Sequence, residues 1–433
     1  MGWIKRLAAV AILATLAGLQ ACTLTKTVVH NFADLDDHRI FANREVAGPA
    51  QVSPLRGLRQ EPWFLAGLAV PDETGAEPGK TRKLDDYLAH TRTAAFVVLH
   101  EDRVVLERYG RGYDRHSLLN SFSIAKAVMS TLVGIALAEG RIASLDTTVA
   151  SVCPEFAGTP YGAATVRELL TMTTGIGDAP SLLPGRAEVY YGSDLRDLAL
   201  RAQAQHAPAI QATQATQAIQ ATQATQATQA TQATQATQAT QATQAHPWRY
   251  SETDVQVLGF VLERAVGMPV SQYLAARLWQ PLGMESKALW ALDREGGSEK
   301  AFCCLSARAR DFARFGQLMR DGGRWHGRQI VPAAWAARSV LPGIEAMDHT
   351  HQHLWWAPHG DAVHAGPRGD FYAYGHNGQY LYVNPAARLV IVKFSETNRQ
   401  DPVPMFRAIA DAVTAPHHLA EIDRLDAPLL AAR

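Results

Sequence analysis

Ser123-Ile124-Ala125-Lys126 places a hydroxyl and an amine three residues apart at the head of a strongly apolar run. Ile124, Val128, Leu132, Ile135 and Ala136 recur at helical spacing, and the run stops at Gly140. This pattern predicts a buried helix over Ser123–Gly140 with the quartet in its first turn. Residues three apart on a helix are neighbours, so the amine can lie beside the hydroxyl without help from distant chain. The positive end of the helix dipole favours a serine alkoxide there. A nucleophile next to a base is the starting point for acyl transfer. Ser-x-x-Lys also arises by chance about once in a chain this long, usually as a capping serine and a surface lysine. The quartet therefore needs partners.

Two stretches offer them. Tyr250-Ser251-Glu252 opens a second helix whose apolar content is Val255, Leu258, Gly259, Val261 and Leu262. A tyrosine hydroxyl close to a lysine ammonium has its phenolate favoured, below the ordinary value of about 10. It can then accept or relay the serine proton. Near the C-terminus, Gly375-His376-Asn377-Gly378 precedes the strand Gln379–Asn384. A glycine in an edge strand lets backbone approach a substrate closely, so that an N–H faces a developing oxyanion.

The elements that must position these groups run in a legible order. Ala94–His100 and Arg103–Tyr109 read as a strand hairpin turning at Glu101-Asp102, and Leu84–Arg92 as a short helix before it. Helices are expected at Thr165–Met172, Leu195–Gln203, Ser251–Gly267, Val270–Trp279 and Ser306–Asp321. Strands return at Gly378–Asn384 and Leu389–Glu396 around Pro385-Ala386-Ala387, and Pro402–Thr414 closes as a helix. Strands at both ends with helices between them suggest one sheet built from both termini and a helical insertion.

The 433-residue chain carries 41 Lys+Arg and 41 Asp+Glu. With no charge runs, this balance does not suggest nucleic-acid binding. Lys5-Arg6, the apolar stretch Leu7–Leu19 and Leu19-Gln20-Ala21-Cys22 read as a bacterial export signal ending in a lipobox over residues 1–22. Lipidation of Cys22 is the expectation, with an ordinary cleaved signal or an uncleaved anchor as alternatives. Thr23 in place of an aspartate favours an outer-membrane lipoprotein on the periplasmic face. Residues 23–85 are proline-containing and aperiodic, and read as a tether and irregular wrap. From Gln211 to Ala245 the chain repeats Gln-Ala-Thr, with Ile219 once in place of threonine. A period of three keeps no face apolar, so this insert is expected to be solvated and disordered. Cys153, Cys303 and Cys304 are expected as buried thiols, because adjacent cysteines rarely bond each other; a bridge from Cys153 to one of them is the alternative. His349, His351 and His353 alternate, but no acidic or cysteine partner set accompanies them, and no metal is assigned. Gly79-Lys80-Thr81 echoes a phosphate loop with the wrong spacing and no preceding strand.

Three elements in this order resemble the serine beta-lactamase and penicillin-binding-protein superfamily. The chain is similar to the class C beta-lactamase-like serine hydrolases, in the branch of family VIII esterases and 6-aminohexanoate-dimer hydrolases. The resemblance runs from about residue 94 to 415. It rests on Ser121-Phe122-Ser123-Ile124-Ala125-Lys126, Leu169-Leu170-Thr171-Met172-Thr173-Thr174-Gly175, Tyr250-Ser251 with Leu258-Gly259, Pro281-Leu282-Gly283-Met284, Arg310-Asp311-Phe312-Ala313-Arg314-Phe315-Gly316, and Gly375-His376-Asn377-Gly378-Gln379-Tyr380.

The resemblance implies an α/β fold, with an antiparallel sheet flanked by helices plus an all-helical lobe. The hydrolase domain would span 86–425, its lobe about 115–290, with a cleft between lobe and sheet. Ser123 would be the nucleophile, Lys126 its base or the group that tunes it, and Tyr250 the proton relay to the leaving group. The oxyanion hole would use the N–H groups of Ser123 and Gln379, with His376, Gly378 and Glu252 at the substrate. Asp178, Tyr190 and Asp194 fall near where relatives line the cleft. No cofactor is implied. Glu252 stands where beta-lactamases have asparagine, and His376 where many members have lysine, so a fixed cation for a substrate carboxylate is missing from that motif. A small ester or amide is the expected substrate. A beta-lactamase or DD-peptidase-like activity and a catalytically silent binding lipoprotein are the alternatives.

Overall fold

The computed structural model describes residues 23–30, 32–72, 79–179, 181, 183, 186–204, 246–346, 349–358, 368–397 and 401–426. Cys22 and the Gln-Ala-Thr insert lie outside the described residues.

The centre of the molecule is a nine-stranded sheet. From one edge its strands are Ile344–Ala346, His349–Gln352, Trp355–Pro358, Phe371–Gly375, Gln379–Asn384, Leu389–Ser395, Thr93–His100, Arg103–Tyr109 and Arg56–Gly57. All neighbours are antiparallel except the last pair. The N-terminal hairpin is annexed by the C-terminal strands where Leu389–Ser395 pairs with Thr93–His100, Ile391 opposite Val98. Both termini therefore build one sheet, as the sequence pattern suggests.

Along Leu389–Ser395 every residue is buried, because the sheet is covered on both faces. Val390, Val392 and Phe394 join the larger core, with the helical lobe and the helix Ala309–Arg320. Leu389 and Ile391 join a second core with Leu84, Tyr87, Phe406 and Ile409, from the helices Leu84–His90 and Val403–Thr414. Gly316 sets how closely the Ala309–Arg320 helix lies on the sheet: a Cβ there would stand 2.5 Å from Val390 Cγ1.

The same helix shows what the Arg310–Gly316 motif does. Arg310 pairs with Glu285 and Glu107, and Asp311 accepts from the Glu285 amide at 2.6 Å. Arg314 donates to the carbonyls of Gly283, at 2.5 Å, and of Ser53. The motif is a fastening for the N-terminal wrap and the Pro281–Met284 turn. That wrap is also more regular than its sequence suggests. Asn43–Val46 is the edge of a four-stranded sheet, ordered Asn43–Val46, Ala288–Ala291, Leu305–Ala307, Leu119–Asn120.

The lobe helices fall where periodicity places them, slightly shorter: Ala125–Ala138, Val166–Thr171, Leu195–Leu200 and Glu252–Val266. Thr165 and Glu168 form a reciprocal capping box. Two expectations need correction. Cys303 and Cys304 are joined to each other by a disulfide, and among the described residues only Cys153 is a free, buried thiol. The strand Gln379–Asn384 is interior, paired on both sides, not an edge strand.

Candidate active site

Ser123 sits on a constrained turn. Leu119–Asn120 leads through a single 3₁₀ turn, Phe122–Ile124, into the helix Ala125–Ala138. Phe122, just before Ser123, has φ of 45°, a conformation costly for a bulky residue and kept by what surrounds it. Its amide donates to Asn120 Oδ1 at 3.1 Å, and its ring meets the His376 ring edge-on at 5.7 Å. Gly375 permits the closest approach from the sheet side. A Cβ there would lie 2.4 Å from the Ser121 carbonyl oxygen, so a side chain at 375 would push the last motif off the nucleophile turn.

Lys126 Nζ stands 2.8 Å from Ser123 Oγ and donates to the Phe302 carbonyl at 2.7 Å. It lies 4.9 Å from the centroid of the Tyr250 ring, and Tyr250 and Ser123 line the same cleft. Hydroxyl, amine and phenol, drawn from distant stretches, thus meet at one point. Burial pushes the Lys126 amine down to about 7, opposed by the Glu252 carboxylate and assisted by the Arg186 guanidinium. Half of such amines are neutral near pH 7, and a neutral amine can take a proton from a hydroxyl within hydrogen-bond reach.

Tyr250 departs from expectation. Its hydroxyl is pushed well above the ordinary phenol value, by burial first and then by Glu252. Ser123 and Arg186 act the other way without prevailing. The expected phenolate needs a full ammonium beside it, and Lys126 is itself desolvated. Burial therefore holds Tyr250 as a neutral hydroxyl.

These groups open on a cleft of about 610 Å³ whose walls include Ser123, Tyr250, Glu252, His376, Tyr190, Trp356, Phe302 and Cys303. Glu252 pairs with Arg186, which also lies over the Tyr250 ring at 5.2 Å. Arg186 supplies a cation at the cleft that the sequence reading did not find. His376 is exposed in the cleft, and partial burial followed by Arg186 lowers its basicity. Gly378 adopts φ of 80° in the turn that follows, and Gln379 starts the next strand. The Gln379 carboxamide faces away from the cleft, donating to the carbonyls of His376 and Ser395, each at 2.8 Å, and accepting from the Ser395 amide at 2.8 Å. It clamps the motif turn to the neighbouring strand.

Of the remaining candidates, Tyr190 lines the cleft, its hydroxyl donating to Asp37 at 2.6 Å. Asp178 accepts from Thr253, and Asp194 caps the helix Leu195–Leu200; neither is in the cleft wall. His351 is buried against Trp248 and Trp356, with burial driving its ring down to about 3. Among the described residues no group of three His, Cys, Asp or Glu is arranged to hold a metal ion.

A second residue missed in the sequence is Asp254. It accepts from Tyr161 at 2.7 Å, Ser251 at 2.9 Å and Thr174 at 3.0 Å, with its acidity weakened by burial to about 7. Asp254 joins the Leu169–Gly175 segment to the turn carrying Tyr250.

A Ser-x-x-Lys nucleophile on a lobe helix, faced by a tyrosine and by the Gly375–Gly378 turn of an antiparallel sheet, defines a serine hydrolase. The chain belongs to the beta-lactamase family, whose model matches residues 81–414. It is 28% identical over 327 residues to the 6-aminohexanoate-dimer hydrolase of Paenarthrobacter ureafaciens, covering 72% of this chain and 74% of that one. A Bacillus anthracis protein provisionally assigned as a 6-aminohexanoate-dimer hydrolase shares the fold. Its TM-score is 0.67 at 24% identity, over 88% of this chain and 92% of the other. A family VIII carboxylesterase matches with a TM-score of 0.52 at 18% identity, over 75% and 95% of the two chains.

Proposed function

We propose that this protein is an exported hydrolase that cleaves a small ester or amide through an acyl-enzyme on Ser123. Lys126 takes the Ser123 proton as the hydroxyl attacks the carbonyl, and the oxyanion is held by the N–H groups of Ser123 and Gln379. Tyr250 passes the proton to the leaving group, and water then releases the acid by the reverse path. The carrying observation is the 2.8 Å contact between Ser123 and a lysine whose burial brings it to about 7.

Two features favour a small ester or amide over a beta-lactam or peptidoglycan stem. His376 carries a weakened basicity where a permanent cation is usual, and Arg186 is already engaged by Glu252. The named relatives, a dimer hydrolase and a carboxylesterase, act on substrates of this kind. The export signal and Cys22 place the enzyme, in this reading, on the periplasmic face of the outer membrane through a lipid anchor.

Turnover of p-nitrophenyl butyrate, 6-aminohexanoate dimer and nitrocefin by the purified enzyme sorts the substrate class. The expected result is hydrolysis of the butyrate or the dimer at rates well above nitrocefin, with an acyl mass adduct on Ser123 that Ser123→Ala lacks. Efficient nitrocefin turnover alone would overturn the substrate assignment, and an unmodified Ser123 the mechanism.

A further inference from the structure

The Cys303–Cys304 disulfide stands next to the catalytic lysine. Residue 302 supplies the carbonyl that receives Lys126 Nζ at 2.7 Å, and Cys303 forms part of the cleft wall. The same stretch runs into Leu305–Ala307, where the Leu305 carbonyl accepts from the Ser121 amide at 3.0 Å, two residues before the nucleophile. One short segment therefore holds both Lys126 and the turn that leads into Ser123.

Its backbone is unusual. Cys304 has φ of 70°, a left-handed conformation that a non-glycine residue keeps only when its surroundings impose it. The disulfide closes a small ring around the peptide between the two cysteines and imposes that conformation locally. Trp290 Nε1 donates to the carbonyls of Lys300 and Cys303, each at 3.0 Å, and the Ala291 amide donates to Cys304 at 3.1 Å. These bonds seat the turn on the four-stranded sheet. The peptide joining Phe302 to Cys303 is held from one side by the Cys303 amide, which donates to the Lys300 carbonyl at 3.0 Å, and from the other by the ring that follows it.

We propose that the Cys303–Cys304 disulfide is a positioning element of the active site: it aims the Phe302 carbonyl at Lys126, so that turnover depends on the oxidation state of this pair. The inference rests on the serine-hydrolase reading above, with Lys126 as the base. Reduction by a phosphine is balanced by oxidation of the phosphine to its oxide with an oxygen atom from water. The two electrons and two protons released convert the disulfide to two thiols. The freed turn then relaxes at Cys304, the Phe302 carbonyl swings from the amine, and water reaches Lys126. Glu252, Arg186, Ser123, Tyr250 and the buried His351 ring are the other charged or titratable groups facing that amine, and they stay where they are.

The test is a pH profile of kcat/KM for p-nitrophenyl butyrate, measured on enzyme as purified, after phosphine treatment, and after removal of phosphine and reoxidation. Differential alkylation with mass spectrometry reads the state of residues 303 and 304 in each sample. Reduction is expected to lower kcat about tenfold or more with little change in KM, as displacement of a catalytic group by about 1 Å does. The acid limb is expected to move to higher pH, and reoxidation to restore both. Cys303→Ser/Cys304→Ser is expected to behave as the reduced enzyme and to ignore the phosphine, which keeps the test decisive if the wild-type disulfide resists reduction. Thiols at 303 and 304 in fully active enzyme, or a double variant with unchanged kcat and acid limb, would overturn the proposal. Absence of Ser123 acylation in the oxidised enzyme would overturn the underlying mechanism instead, so the two failures are distinguishable.

Discussion

Among the described residues, two buried lysine amines donate to serine hydroxyls, and only one of these pairs opens on the cleft. Lys126 and Ser123 meet at the head of a lobe helix; Lys393 and Ser395 meet inside the central sheet, where the Lys393 amine donates to the Ser395 hydroxyl. Burial pushes both amines down to about 7. The difference is in what surrounds them. Ser123 opens on the cleft, with Tyr250 in the same cleft wall and the Gly375–Gly378 turn packed beside it. Ser395 is fully buried, and its amide is taken by the Gln379 carboxamide. A weakened amine beside a hydroxyl is thus a product of burial, common to both sites. Access for a carbonyl and a proton path to the leaving group make the first one chemical.

Single substitutions can break this contrast in order of effect. Lys126→Ala is expected to cost about a thousandfold in kcat/KM, as loss of a positioned base does, while circular dichroism and the thermal midpoint report a folded protein. Tyr250→Phe removes the relay but leaves Ser123 and Lys126 in place; a loss of about a hundredfold, larger for poor leaving groups than for p-nitrophenolate, is expected. Lys393→Met, by contrast, should leave kcat/KM within about threefold. It should also leave the unfolding midpoint unchanged or higher, since apolar replacement of a buried charged group is often neutral or stabilising. If Lys393→Met and Lys126→Ala lose activity equally, the two pairs are not functionally distinct and the contrast fails.

Much of the site was legible because its key spacing is local. Ser123 and Lys126 are one helical turn apart, and the apolar period of Ile124–Ala136 fixes which face they share. Tyr250 announces itself at a helix start, where Ser251 caps by accepting from the Asp254 amide at 3.0 Å. The sheet was half legible: the hairpin and the last two strands are strongly apolar runs, whereas the strands over 344–358 are short and tied to no turn signature. Arg186, Asp254 and the Phe302 carbonyl were invisible for different reasons. Arg186 works through an ion pair with a residue 66 positions away. Asp254 acts as a buried acceptor where the helix pattern predicts only a polar position. A backbone carbonyl has no residue type to read. The expectations for Tyr250 and the cysteines failed because each assumed an exposed reference: a fully charged lysine in one case, an unconstrained peptide in the other.

The central claim is that Ser123 is activated by a lysine amine that is neutral near pH 7. The pre-steady-state burst of p-nitrophenolate from p-nitrophenyl butyrate, followed from pH 5 to 10, tests it most directly. The protonated amine cannot accept the serine proton, so the acylation rate is expected to rise with pH through an apparent pKa of about 7 and then level off, set by the depression of Lys126. A rate still climbing near pH 10, or independent of pH across the range, would show that Lys126 is an ordinary ammonium or is not the base.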